Sequence, residues 1–127
     1  MSKEDIIRKV LENTQLASLG DAYVNFVYSL ALTKISGRPT GVKVSDRVLA
    51  QAFKLAGLRG YLGTRVTRKD LANACESLLV EVYLKDLLTI EESVDILTRQ
   101  HADVTLGLIE LLTLAAERLG QKSAGAP

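Results

Sequence analysis

The sequence has few of the features that stabilise small secreted proteins, such as paired cysteines, or that anchor membrane proteins, such as long apolar runs. Its 127 residues include one cysteine, two prolines and no tryptophan, and aromatic residues make up only 5%. A single cysteine excludes an internal disulfide and a cysteine-type zinc site. No apolar run is long and uncharged enough to cross a bilayer, and the first residues contain no apolar signal-peptide core. We therefore expect a soluble, cytoplasmic protein without a membrane partner.

The abundant residues favour helices. Hydrophobic residues make up 47% of the chain, with many Leu, Ala and Val and few turn residues, which is typical of an all-α fold around one core. We predict a single domain over residues 1–120 and a flexible tail over residues 121–127. Apolar spacing and capping signals predict about five main helices: residues 3–12, a helix that begins between Thr14 and Asp21 and ends near Ile35, residues 46–56, a helix from Thr67 to Leu87 or Leu88, and residues 90–120.

The last predicted helix carries an apolar seam whose positions are alternately four and three residues apart. It begins at a capping pattern over residues 89–92 and is expected to end at Gly120. His101, the only histidine, lies on this seam. We expect it to be a hydrogen-bonded core or interface residue rather than a metal ligand.

The formal net charge of +1 conceals an uneven distribution. Residues 34–69 contain nine basic residues and one acidic residue, Asp46, so this basic block carries +8 and the rest of the chain −7. Such a block is a candidate surface for a polyanion such as nucleic acid. A solvated basic face is the alternative interpretation.

Asp21 stands at the start of a long apolar stretch, where a carboxylate needs a positive partner or a role as a helix cap. Helical spacing places Asp21 and Asn25 on one face, and Asn73 and Glu76 on one face of a later helix. If these faces oppose each other, two carboxylates with nearby amide oxygens are sufficient for a Mg²⁺ site suited to phosphodiester hydrolysis. Taken singly, Asp21 could be a helix cap and Glu76 could lie on a solvated face.

Three segments together resemble the catalytic domain of ribonuclease III. Residues 16–22, Leu-Ala-Ser-Leu-Gly-Asp-Ala, resemble the family signature Leu-Glu-Phe-Leu-Gly-Asp-Ala. Residues 73–84, Asn-Ala-Cys-Glu-Ser-Leu-Leu-Val-Glu-Val-Tyr-Leu, resemble the later motif Asp-x-x-Glu-Ala-Leu-Ile-Gly-Ala-Ile-Tyr-Leu. Between them, residues 44–46 and 55–62 are similar to the family's intervening helix and its Gly-Leu-containing exit. The resemblance spans residues 14–86 in the family's order and spacing.

The chain departs from the family at acidic positions. Of the four acids that the bacterial family presents to metal, Asp21 and Glu76 are kept, whereas Ala17 and Asn73 replace the other two. Ser18 replaces the aromatic residue that plugs the partner subunit in the family dimer. The compact mini-ribonuclease III branch, which lacks a double-stranded-RNA-binding domain, resembles this chain in both acidic replacements. The chain is therefore expected to be closest to that branch.

The resemblance implies an all-α homodimer that cleaves structured or double-stranded RNA and leaves 5′-phosphate and 3′-hydroxyl ends. It implies that Asp21 and Glu76 bind Mg²⁺, or Mn²⁺, and act through metal-activated water, with Asn25 and Asn73 orienting the ligands. The dimer contact is expected on the signature helix or on the last helix. The basic block would supply the RNA contacts: Lys43, Arg47, Arg65, Arg68 and Lys69.

Two other functions stay open at this point. The loss of two acids is compatible with a non-catalytic RNA-binding or scaffold protein on the same fold. Without the resemblance, the chain could also be a helical assembly module that does not bind RNA.

Overall fold

The computed structural model describes residues 2–125, and side chains up to residue 122. This part of the chain forms six α-helices and one short 3₁₀ helix and contains no β-strand, so the all-α prediction is confirmed. None of these helices is both long and apolar enough to traverse a lipid bilayer. The helices are α1 (Lys3–Leu11), α2 (Thr14–Ser36), α3 (Asp46–Leu55), the 3₁₀ helix Arg59–Tyr61, α4 (Arg68–Leu84), α5 (Ile90–Arg99) and α6 (Val104–Gly125).

Side-chain caps define where the helices begin. Ser45 accepts a hydrogen bond from the Val48 N–H at the start of α3. Thr67 begins α4 with a capping box to Asp70, and an equivalent box begins α5. These caps satisfy backbone N–H groups that the first turn leaves without an intrahelical acceptor. The predicted bounds of the first three helices agree closely with the structure for this reason.

Helix α4 ends at Leu84, earlier than the predicted Leu87 or Leu88. Asp86 has a positive φ of 58°, which a helix interior does not allow. The Leu87 N–H donates back to the carbonyl oxygen of Val82 at 2.8 Å. This closure ends the helix and turns the chain towards α5.

The predicted single helix over residues 90–120 is wrong, because the chain forms a hairpin of α5 and α6 there. The Asp103 side chain accepts a hydrogen bond from the Thr105 N–H at 2.9 Å, a local bond that competes with helix continuation. The hairpin folds the two halves of the apolar seam onto each other, as the contacts between α5 and α6 show. His101 lies exposed in the turn, so its predicted place in the core is wrong, whereas a place in an interface stays a prediction. Its Nδ1 lies 3.2 Å from the carbonyl oxygen of Thr98, in hydrogen-bonding contact.

Gly120 does not end the last helix, since α6 continues to Gly125. Gly120 is buried inside α6, where the Lys3 side chain of α1 lies against it, and it does not form a C-cap. The predicted flexible tail over residues 121–127 includes Ala126 and Pro127, which lie outside the described residues.

Helix α4 is the centre of the fold and packs against α1, α2, α3 and α6. Its middle part, residues 71–82, is buried on nearly all sides, and only Asn73 and Glu81 within it are half-buried. It also buries two polar side chains, Glu76 and Ser77. The Ser77 hydroxyl donates to the carbonyl oxygen of Asn13 at 3.0 Å, which fixes the start of α2 against α4. Glu76 is the buried polar residue that requires a functional explanation.

Candidate active site

The site lies where α2 crosses α4. Gly20 on α2 lies against the backbone of Glu76 on α4: a Cβ at Gly20 would be 2.5 Å from the Glu76 carbonyl carbon and 2.9 Å from its Cβ. A larger residue would not fit unless one of the helices shifted. Because Asp21 follows Gly20, this crossing places the Asp21 and Glu76 carboxyl groups within hydrogen-bonding reach of each other. The structure brings together Asp21 and Glu76, which were expected to form one site if the faces of their helices oppose each other.

Two simpler interpretations of these acids are now excluded. Helix α2 begins at Thr14 with Asn13 as its cap, so Asp21 lies inside the helix and is not a cap. Glu76 has only 2% of its surface exposed, so it does not lie on a solvated face.

The surroundings of Glu76 oppose its ionisation. Burial raises the pKa of Glu76 to about 8, with further contributions from the hydrogen bond to Asp21 and from its negative charge. A carboxyl group that is poorly solvated and close to a second acid keeps its proton to a higher pH than one in water. We refer to Asp21 and Glu76 hereafter as the acidic pair.

The acidic pair has no ion-pair partner among the side chains of residues 2–122. The Lys69 ammonium group lowers the pKa of Glu76, but its ion pair is with Asp46, at 3.4 Å from Nζ to Oδ2. Buried carboxylates need a positive partner. The acidic pair is therefore suited to bind a cation, since no basic side chain of residues 2–122 forms an ion pair with it.

No cluster of three or more His, Cys, Asp or Glu side chains in the described part of the chain is placed to hold a metal ion. A cation at the acidic pair would therefore take two protein carboxylates and complete its coordination with water or substrate oxygens. Mg²⁺ commonly binds in this way.

Asn25 connects Asp21 to the segment that precedes α3. Its Nδ2 donates to Asp21 Oδ1 at 3.2 Å, and its Oδ1 accepts from the Val44 N–H at 2.8 Å. Both ends of the amide are therefore occupied, which fixes the side chain. Asn25 in turn holds the Asp21 carboxylate in one orientation.

The segment of residues 40–44, hereafter the strap, runs along α2. Ser29 Oγ accepts from the Val42 N–H at 3.0 Å, and Thr33 Oγ1 accepts from the Thr40 N–H at 3.0 Å. Asn25, Ser29 and Thr33 are spaced four residues apart on α2. Their partners on the strap, Val44, Val42 and Thr40, are spaced two residues apart. Four helical residues rise about 6 Å and two extended residues about 6.6 Å, so the two repeats match. The strap thereby fixes the start of α3 relative to Asp21.

Asp46, the first residue of α3, was not predicted as a site residue. Its negative charge raises the pKa of Glu76, so it lies close enough to act on the acidic pair. One feature of the sequence could have indicated a role for Asp46: it is the one acidic residue in the basic block. Sequence reasoning had counted Asp46 only as part of that block's net charge.

The other predicted residues lie around the acidic pair. Asn73, one turn before Glu76, lines a cavity of about 200 Å³ together with Glu12, Thr14 and Asp70. No hydrogen bond joins Asn73 to the acidic pair within the described residues, and its role in orienting ligands stays a prediction. The predicted RNA-binding residues are all exposed, and their role also stays a prediction: Lys43, Arg47, Arg65, Arg68 and Lys69.

This geometry defines a class of protein, namely an all-helical domain with two acidic residues at the crossing of two helices. The ribonuclease III family matches residues 14–120, from the first residue of α2 into α6. The chain belongs to this family, as the motifs around Asp21 and Glu76 indicated. A comparison with curated proteins gives no significant match.

Proposed function

We propose that the protein is a Mg²⁺-dependent endoribonuclease that cleaves structured or double-stranded RNA and leaves 5′-phosphate and 3′-hydroxyl ends. The observation that carries this proposal is the acidic pair, in which Glu76 is buried and has a raised pKa and neither acid has an ion-pair partner within residues 2–122. Membership of the ribonuclease III family supplies the class of reaction.

The donor atoms of the pair suit Mg²⁺, which prefers oxygen ligands and often keeps several waters. Mn²⁺ shares this preference. Asp21 and Glu76 would hold the ion, and binding would release the proton that Glu76 keeps. Once bound, Mg²⁺ supplies charge neutralisation at the phosphate and activation of water. Asn25 keeps Asp21 in position through its Nδ2 hydrogen bond.

RNA would bind over the exposed basic residues around the acidic pair. Double-stranded RNA is recognised mainly through its shape, phosphates and 2′-hydroxyls, so base-reading side chains are not required. Lys69 is the basic residue whose positive charge lowers the pKa of Glu76. Its ion pair with Asp46 keeps one positive charge beside the acidic pair without neutralising it.

We further propose that two copies associate through an exposed apolar surface of α2, hereafter the α2 face. Leu19 and Phe26 are 50% and 54% exposed. Tyr83 extends this face, because its ring centroid lies 5.0 Å from that of Tyr23. Contiguous exposed apolar surface is typical of an interaction site. The α2 face consists of Leu19, Ala22, Tyr23, Phe26 and Leu30, which helical spacing places on one side of α2.

A non-catalytic RNA-binding protein is the second candidate function. The observation that favours this function is the small number of carboxylates at the site. Among the described residues, no group of three or more His, Cys, Asp or Glu side chains could hold a metal ion. Ala17, at the position of a family glutamate, is buried and contributes no ligand. Such a protein would bind duplex RNA without needing a divalent ion.

The test is cleavage of a long RNA duplex in Mg²⁺ by the unaltered protein, Asp21→Asn and Glu76→Gln. Glu117→Gln serves as the matched control, because Glu117 is exposed on α6 and has no ion pair within the described side chains. We expect the unaltered protein and the control to cut, and both pair variants to bind duplex without cutting. Duplex binding with no cleavage by any of these proteins would support the second function instead.

A further inference from the structure

The strap has one edge bonded to α2 and one edge that faces away from it. On the inner edge, the backbone N–H groups of Thr40, Val42 and Val44 donate hydrogen bonds to side chains of α2. The carbonyl oxygens of Thr40 and Val42 accept hydrogen bonds from the same helix. In an extended segment, alternate residues direct their N–H and C=O groups to opposite edges. The backbone groups of Gly41 and Lys43 therefore form the outer edge of the strap.

The outer edge has no hydrogen-bond partner within the part of the chain that the structure describes. Neither the N–H nor the C=O group of Gly41 or Lys43 is hydrogen-bonded there, and both residues are exposed. A row of unpaired backbone groups on an exposed extended segment is a template for pairing with another strand. The strap thus resembles an edge strand whose inner neighbour is replaced by the side chains of α2.

The alternation of donors and acceptors along the outer edge favours a polypeptide over RNA. Each residue presents one N–H donor and one C=O acceptor. The phosphate groups of RNA present oxygen acceptors, which the carbonyl oxygens of Gly41 and Lys43 would repel. An extended peptide has the same alternation as the strap, so it satisfies donors and acceptors together in the manner of an added strand.

The charge around the strap favours an acidic peptide. Residues 22–45 contain three basic residues, Lys34, Arg38 and Lys43, and no acidic residue. None of these cations forms an ion pair within the described side chains. A second copy of the chain would bring another Lys43 to the same edge, and like charges across a strand pair are destabilising. Charge complementarity therefore selects a segment of another protein that carries Asp or Glu.

The strap is ordered before any peptide binds. Hydrogen bonds to Asn25, Ser29 and Thr33 attach it to successive turns of α2. Pro39, which directly precedes it, restricts φ at the entry to the strap. A binding segment that is already held in its bound conformation loses little conformational entropy when the partner pairs with it.

We propose that the outer edge of the strap binds an extended acidic segment of another protein, which adds to it as a β-strand. The peptide backbone pairs with Gly41 and Lys43, and its carboxylates are attracted to the cations of Lys43 and Arg38. The strap reaches Asp21 only through Asn25, so the bound segment lies outside the acidic pair. The inference therefore goes beyond the proposed function and does not depend on RNA cleavage.

The test is amide hydrogen exchange, measured by NMR with a synthetic peptide of alternating valine and glutamate. In the unbound protein, we expect the amide protons of Gly41 and Lys43 to exchange rapidly, and that of Val42 to be protected by its hydrogen bond to Ser29. The peptide at millimolar concentration should protect Gly41 and Lys43 and leave the slow exchange of Val42 unchanged. A peptide with lysine in place of glutamate should bind about three- to tenfold more weakly.

Gly41→Pro removes an outer N–H group and leaves the hydrogen bonds of the strap to α2 in place, because an edge strand tolerates proline where the N–H group faces solvent. Gly63→Pro is the matched control. Both glycines are exposed, and no atom lies within 4 Å of a Cβ added at either one. We expect Gly41→Pro to bind the acidic peptide about tenfold more weakly and the control to bind it normally. Circular dichroism confirms that both variants are folded.

The outcomes distinguish the possible occupants of the outer edge. Protection of Gly41 and Lys43 by the acidic peptide, with weaker binding by Gly41→Pro alone, would support the inference. Unchanged exchange at both residues, or equal binding by the two proline variants, would overturn it. Protection by duplex RNA in EDTA but not by the peptide would assign the edge to RNA, and protection that rises with protein concentration alone would assign it to a second copy. Either result would also overturn the inference, whether or not the unaltered protein cuts RNA in Mg²⁺.

Discussion

Gly20 on α2 and Glu76 on α4 are in backbone contact, and this contact brings two acids into one site. The space beside Gly20 is filled by the Glu76 carbonyl group and Cβ, so the two helices cross at their closest approach there. Asp21 follows directly, and its carboxyl group lies within hydrogen-bonding reach of Glu76. The packing of the fold and the chemistry of the site therefore depend on the same pair of residues.

Gly20→Ala should destabilise the protein by about 1–3 kcal/mol, because the added Cβ overlaps rigid backbone and forces α2 and α4 apart. Gly60→Ala is the matched control, since no atom lies within 4 Å of a Cβ at that glycine. Urea denaturation of both variants measures the change in the free energy of unfolding. Equal stability of the two variants would show that the crossing tolerates a methyl group.

Much of this arrangement could be predicted because it depends on local signals. The caps at Ser45 and Thr67 and the apolar spacing along α2 act within a few residues, and they predicted the starts of α3 and α4 and the end of α2 to within one residue. The separation of Asp21 and Glu76 in sequence did not itself show that they meet. Helical spacing placed each on a face, and the resemblance to ribonuclease III indicated that the faces oppose.

The remainder depended on tertiary packing that spacing does not encode. The apolar seam of residues 90–120 has the same period whether it forms one long helix or a hairpin folded on itself, so the turn at His101 was not predicted. The position of Asp46 depends on the strap, whose hydrogen bonds join residues that are up to 19 positions apart, as in Asn25 and Val44. No pattern within one element reports such a contact.

The acidic pair predicts a pH-dependent stability. The folded-state pKa of Glu76 is raised from its ordinary 4.5 to about 8, so the folded protein holds a proton that the unfolded chain releases. The stabilisation from that proton is fully present below pH 4.5 and is lost as the pH rises through about 8. Without divalent ions, the free energy of unfolding should therefore fall by a few kcal/mol between pH 5.5 and pH 8.5.

Glu76→Gln isolates this effect, because glutamine has no proton to lose in this range. Urea denaturation in EDTA at the two pH values should show a smaller fall in the variant than in the unaltered protein. If Mg²⁺ binds the pair, it should restore stability at pH 8.5 by mass action, and this gain should be absent in Asp21→Asn. Identical pH profiles for the unaltered protein and Glu76→Gln would contradict the raised pKa of Glu76.

Asn25→Ala should lower both stability and Mg²⁺ affinity. The variant loses the hydrogen bonds to Asp21 and to the Val44 N–H, at a cost of about 1–2 kcal/mol. Ser29→Ala is the control, because Ser29 bonds the strap at Val42 without contacting Asp21. We expect similar losses of stability but a weaker Mg²⁺ affinity, by isothermal titration calorimetry, only in Asn25→Ala. Equal affinities would show that Asn25 supports the strap alone.

Phe26→Asp should convert a dimer into a folded monomer. Phe26 is 54% exposed on the α2 face. In a two-fold dimer the substitution occurs in both subunits, so it places two carboxylates in the interface and its destabilising effect is doubled. Sedimentation velocity measures the mass in solution, and circular dichroism reports retained helix. Leu55→Asp is the matched control, because Leu55 is an equally exposed apolar residue, at 60%, on α3 rather than on α2.

The pair of variants decides which surface forms the dimer. A monomeric Phe26→Asp and a dimeric Leu55→Asp would assign the contact to the α2 face. The reverse result would move the contact to α3. Leu19 and Asp21 are two residues apart on α2 and therefore lie on opposite sides of the helix. A dimer through the α2 face would thus leave the acidic pair, which lies between α2 and α4, outside the contact, so that each subunit keeps its own site.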